Sequence, residues 1–198
     1  MILEEKKLNI YDEHCKKIQE LNGKFHGVTE GKNGDIFTLC GLDVLKFSKI
    51  NGFLVKVGQI FLKVLKDFER WYSLSKPRNV VYSITTDSLH ITDLGLHKIV
   101  TLNLETGCQN VVGYFGEGSG QLKNPSAMIV DDVGNLMVID QGNRRLVVYN
   151  SSGRMVKEIV PDNMVKSAIF TGLHLKDDEV VAVFTVDGEG GGIMRYRL

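Results

Sequence analysis

This 198-residue chain lacks an excess charge of either sign: 24 basic side chains are matched by 24 acidic ones. No global field draws it to nucleic acid or to an anionic membrane, so any polyanion contact has to be a local patch. Cysteine is scarce as well. Cys15, Cys40 and Cys108 are odd in number, far apart and without Cys-x-x-Cys spacing, which excludes a disulfide framework and a zinc finger and fits reduced thiols in a cytosolic setting. No apolar run approaches the ~20 residues a membrane helix needs. Residues 1–7, MILEEKK, carry acids where a secretory leader would carry a basic region and then an apolar one. The expectations are a cytoplasmic localisation and no membrane contact. What is present, 43% hydrophobic and 24% charged residues, suffices for one sizeable core.

The informative part is a repeat. In residues 113–159 a glycine-rich stretch and a proline lead to four short apolar segments, 127–130, 136–139, 146–149 and 155–159, separated by Asp-Asp-Val-Gly-Asn, Asp-Gln-Gly-Asn-Arg and Asn-Ser-Ser-Gly. Gly and Asn supply the positive φ that tight turns need, so this predicts a four-stranded antiparallel meander. The third segment recurs with a large apolar residue at Tyr11, Phe47, Leu102, Tyr149 and Tyr196, at intervals of 36, 55, 47 and 47, and Gly52, Gly107 and Gly153 close the turn behind three of them. Four strands repeating in the forties are the signature of propeller blades, which must stack because one sheet cannot cover both its faces. The expected fold is an all-β, incomplete propeller: a half blade at 8–21, blades at 25–58, 77–112 and 125–160, and a blade at 166–198 lacking its last strand. A partly helical insertion is expected near 59–76. Because closure removes exposed edges, the chain reads as the C-terminal part of a larger propeller or as a truncated one.

The pattern Gly118-x-Gly120-Gln121-Leu122-x-x-Pro125, Val130-Asp131-x-x-Gly134-Asn135-Leu136 and Val138-x-Asp140-x-x-Asn143-x-Arg145-Leu146-x-Val148-Tyr149 resembles NHL-repeat propellers. It is most similar to the C-terminal propeller of animal tripartite-motif (TRIM-NHL) proteins, over residues 25–198. Cys40 departs from it where the repeat has Asp, and the last blade lacks the Asp-x-x-Asn-x-Arg phrase. The resemblance implies six blades and a non-catalytic module that binds protein or single-stranded RNA on one surface, with no cofactor and no metal. It also implies a RING, B-box and coiled coil upstream in a longer parent, which would make that parent a ubiquitin ligase. The alternative is a ligand-binding or metal-dependent lyase-type NHL propeller with a site in the central channel.

Several groups invite a chemical reading. Gly116 to Gly120 looks like a phosphate cradle, but Pro125 and a strand follow rather than a helix, so it reads as an inter-blade turn. Asp140, Asn143 and Arg145 cluster at one strand connection; Asp and Asn side chains there bond turn amides, and Arg145 is expected to bridge to a neighbouring blade's carboxylate. Gly118, Gly120, Pro125, Asp131, Gly134, Asn135, Asp140, Asn143 and Arg145 are thus assigned to the scaffold. Histidines are scattered, with His26 and His174 expected in the core. The segment 59–78 carries a net +3 with Phe68, Trp71 and Tyr72 interleaved, a combination that holds single-stranded RNA at ~1–3 kcal/mol per stacked base; its apolar residues fit equally a cover packed on the propeller. Loops joining second to third strands, and fourth strands to the next blade, share one rim. The expected partner contacts there are Arg70, Trp71, Tyr72, His97, Lys98, Lys123, Asn124, Asn143 and Arg144.

Overall fold

The computed structural model of the protein describes residues 7–11, 14–51, 53–60, 74–160, 168–176, 179–186 and 190–197. Every long element in it is a strand, and no helix among the described residues is long and apolar enough to cross a membrane. Strands β1 (Lys7–Tyr11) and β2 (Lys17–Asn22) form a two-stranded sheet. Three four-stranded meanders follow: β3 (Phe25–Glu30), β4 (Ile36–Cys40), β5 (Asp43–Ile50) and β6 (Phe53–Ile60); β7 (Pro77–Ser83), β8 (Ser88–Asp93), β9 (Lys98–Asn103) and β10 (Gln109–Val112); β11 (Pro125–Val130), β12 (Leu136–Asp140), β13 (Arg145–Tyr149) and β14 (Met155–Ile159). A three-stranded sheet, β15 (Ala168–Lys176), β16 (Glu179–Val186) and β17 (Gly190–Arg197), completes the set. All sheet pairings are antiparallel between consecutive strands, and the innermost strands β3, β7, β11 and β15 lie side by side. This is the all-β, incomplete propeller that the repeat predicts.

The hairpins form where the turn residues say they should. Asp131 accepts the Val133 and Asn135 amides at 3.1 and 2.7 Å, with Gly134 at φ +89°. Asn103 and Asn150 do the same for the amides of Thr106 and Arg154, ahead of Gly107 (φ +70°) and Gly153 (φ +79°). Gly52 lies outside the described residues.

Packing explains why the central strands read as unbroken apolar runs. Side chains of a strand alternate between faces, and both faces of a middle blade are covered. In β12, Leu136 and Val138 join a buried cluster with Ile99 and Val112 of the preceding blade, whereas Met137 and Ile139 join one with Phe170, Val180 and Ala182 of the following blade. Phe37, Leu39 and Val44 meet Val80, Tyr82, Leu89 and Ile91 across the first of these interfaces. Side-chain bonds tie blade to blade: Tyr82 N–H donates to Thr29 Oγ1 (3.1 Å), Thr92 Oγ1 donates to the Ser126 carbonyl (2.9 Å), and Gln141 bonds both the Ala168 carbonyl and the Phe170 amide. On the last sheet, Val183 and Ile193 fall on the face turned away from its neighbour and are exposed.

The expected insertion is only partly visible. Gln59 and Ile60 complete β6 instead of leaving the sheet, Leu74 is buried in the first cluster, and residues 61–73 lie outside the described residues. Two expectations about histidine are corrected as well: His26 and His174 are exposed, and the buried one is His90 on β8.

Candidate functional site

Two aspartates build one rim of the propeller. Asp93 and Asp140 end the second strands of consecutive blades, and each stands opposite the first residue of the third strand, Lys98 and Arg145. Both carboxylates are fully buried. Asp93 accepts the backbone N–H groups of Ser75 (2.6 Å), Lys76 (3.0 Å), Gly95 (2.8 Å) and Leu96 (3.0 Å), fastening the incoming inter-blade segment to the 94–97 loop. Asp140 does this for the next blade, accepting from Lys123 N–H (2.7 Å), Asn143 Nδ2 (2.7 Å) and Arg145 Nε (2.9 Å). In β4 the same position holds Cys40, opposite Asp43, and the connection shrinks to a two-residue turn.

Arg145 corrects an expectation. Its guanidinium pairs with Asp140 and with Glu158 on β14 of its own sheet, not with a neighbouring blade. Its remaining donors reach the carbonyls of Glu117, Gly118 and Gln121, while Asn143 donates to that of Gly116. The glycine-rich loop thus turns carbonyl oxygens inward to a buried cation, which is the opposite polarity from a phosphate cradle. Burial raises the Asp140 carboxyl above its ordinary range, opposed by these hydrogen bonds. Burial lowers the Arg145 guanidinium, but Asp140 and Glu158 outweigh it and the net direction is upward.

Gly142 holds the two rim loops in close contact. It donates to the Lys123 carbonyl at 2.7 Å, and a Cβ placed on it would stand 2.7 Å from that same oxygen. Gly142→Ala is therefore expected to cost roughly 1–3 kcal/mol, read as a lower midpoint in urea unfolding; an unchanged midpoint would mean that the loops slide apart freely.

The structure brings several expected contacts together. His97 and Arg144 occupy equivalent places, both in the left-handed region at φ 56° and 54°. His97 Nδ1 accepts the Asn124 amide at 3.0 Å and its ring packs 4.8 Å from that of Phe115. Asn124 and Arg144 are exposed. Lys123 pairs with Glu117 at 2.8 Å, which holds the Glu117 carboxyl below its ordinary range.

Lys98 is a correction: only 5% exposed, it fills in its blade the place that Arg145 fills in the next, inward beside Asp93 rather than out toward a partner. Burial lowers its ammonium pKa, and Asp93 works against that. The Asn143 side chain is engaged by Asp140 and Gly116 within the scaffold. Arg70, Trp71 and Tyr72 lie outside the described residues.

Between these loops and the inner strands opens a cleft of about 480 Å³, lined by Lys76, Arg78, Leu94, Gly95, His97, Asn124, Ser126, Gln141, Ile169 and Phe170. A second hollow of about 290 Å³ shares Lys76, Arg78 and Leu94 and adds His26 and Leu42. Sequence reasoning missed Ser126, Ile169 and Phe170. Strand periodicity gave no signal for Ser126, because the register shifts between Pro125 and Met128 and interrupts the alternation there.

No family model matches the chain. Among solved structures it is similar to a streptogramin B lyase, at 15% identity and a TM-score of 0.57, over 91% of this chain and 59% of that one. It is similar also to virginiamycin B lyase from Staphylococcus aureus, at 12% and 0.56 over 98% and 59%, and to a protein of unknown function from Bacteroides caccae, at 10% and 0.69 over 98% and 72%. The chain spans 59% of the length of either lyase. At such identities the likeness shows the fold alone: the protein is a β-propeller. It also corrects the expectation of a non-catalytic module, because lyases are built on this architecture and the fold gives no ground for excluding an enzyme.

Proposed function

We infer that this chain is an NHL-type recognition module of a TRIM-NHL-like protein, and that its Asp93–Asp140 rim binds a protein partner. The observation that carries this is the make-up of the rim. Of the cations there among the described residues, Lys98 and Arg145 are buried and Lys123 is paired with Glu117. Lys76, Arg78 and Arg144 stay exposed, as do the apolar Ile169 and Leu42 that share hollows with Lys76 and Arg78. A continuous positive track suits a nucleic-acid backbone, whereas isolated cations among apolar and amide side chains suit a protein surface. Recruitment of a substrate to a ligase carried by a longer parent would use such a surface.

The test sets a phage-displayed library of random peptides against a pool of random single-stranded RNA, each selected on the wild type at near-physiological salt. The peptides recovered should bind an Arg78→Glu/Arg144→Glu variant at least about tenfold more weakly. Enrichment of RNA with a steep salt dependence, and of no peptide, would replace this reading by the nucleic-acid one.

A further inference from the structure

We propose that the cleft at the inner end of this rim is a carboxylate site, taking an acidic group carried on an apolar body. The inference rests on the rim reading for its biological ligand but on separate observations for its chemistry. The lining holds two cations, Lys76 and Arg78, both exposed, and among the described residues neither is paired with a carboxylate and no lining side chain is acidic. Asp93, directly behind it, is fully buried and already saturated by backbone amides, so it does not compete for either cation.

The second observation is Ser126. It is 5% exposed and lines the cleft, and its Oγ is buried with no hydrogen-bond partner in the described structure. Buried hydroxyls are nearly always bonded, because desolvation without a partner is costly. A bound oxygen would supply what Oγ lacks. His97 adds a donor of fixed direction: its Nδ1 accepts from Asn124, so the neutral ring carries its proton on Nε2.

Carboxylate is favoured over phosphate by what the rim has already spent. Phosphate sites use clustered backbone N–H groups, and here the amides of Ser75, Lys76, Gly95, Leu96 and Lys123 are taken by Asp93 and Asp140. What remains is a guanidinium and an ammonium for one charge, with the exposed Ile169 beside them for an aliphatic stem.

The experiment follows amide resonances of Gly95, Asn124 and Ser126 while titrating hexanoate, its neutral counterpart hexanamide, inorganic phosphate, and a blocked tripeptide with central glutamate or glutamine. Hexanoate should bind with a Kd on the order of 1 mM, and hexanamide about tenfold more weakly or not at all. Arg78→Gln should erase that difference. Ser126→Ala, with an otherwise unchanged spectrum, should weaken hexanoate several-fold.

Selectivity for the glutamate tripeptide assigns the carboxylate to a protein partner, and selectivity for hexanoate alone assigns it to a free acid. Equal response to hexanoate and hexanamide, no response to either, or binding of phosphate alone overturns the site. If the site fails while library-selected peptides still depend on Arg78 and Arg144, only the carboxylate inference falls. If those peptides show no such dependence, the rim reading falls, and hexanoate still decides the cleft.

Discussion

Replacing Asp140 by alanine is expected to lower the unfolding free energy by about 3–5 kcal/mol, the usual cost of stranding one member of a buried ion pair. Arg145, 5% exposed, would keep only Glu158 as an ionic partner. The Lys123 amide would lose its acceptor at the same time, and the Asn143 side chain would keep only the Gly116 carbonyl. Because those groups hold the 116–124 segment against the 141–144 loop, the rim should loosen along with the blade. The measurement is urea unfolding of Asp140→Ala, Arg145→Leu and the double variant. The double variant should recover part of the loss, since it removes the orphaned charge. A loss below about 1 kcal/mol for Asp140→Ala would mean that the pair contributes little beyond its own desolvation.

The second large effect is a fall in stability between about pH 6.5 and pH 4, traceable to one imidazole. His90 sits on β8 between Leu89 and Ile91, which turn to the preceding blade, so alternation turns His90 to the following one. Its Nδ1 lies 2.8 Å from Thr101 Oγ1, its Nε2 has no partner in the described structure, and burial pushes its pKa down from 6.5 to about 4. As pH falls the unfolded chain takes up a proton near 6.5, whereas the folded chain resists until about 4. Its contribution is therefore complete above pH 6.5 and is lost progressively toward pH 4, to a limit of about 3 kcal/mol. His90→Leu should remove this part of the pH dependence, and the difference between the two proteins isolates it from the carboxylates that titrate lower. Parallel curves for wild type and variant across that range would refute the assignment.

The strands were legible because each carries its own boundary. Asn103, Asp131 and Asn150 bond turn amides locally, and Gly107, Gly134 and Gly153 take positive φ whatever the remainder of the fold does. The rim was legible in outline, for His97 and Asn124 do meet. Its chemistry was read less well. Lys98 looks like a surface lysine when taken alone; only its register opposite Asp93, matching Arg145 opposite Asp140, puts it inside. The partner of Arg145 was likewise misplaced, because a guanidinium reaches several carboxylates and spacing does not rank them. Ile169 and Phe170 join the cleft from another blade, at a distance in sequence that no local pattern spans.

By itself, then, the order of residues determined the repeat, the strand segments and their turns, since alternation and turn chemistry act over a few residues. The tertiary structure alone decided which polar groups are buried, which cations stay free, and that Ser126 ends in the same cleft as Lys76 and Arg78. Those outcomes depend on how neighbouring sheets stack, and desolvation is a property of the stack rather than of any one strand.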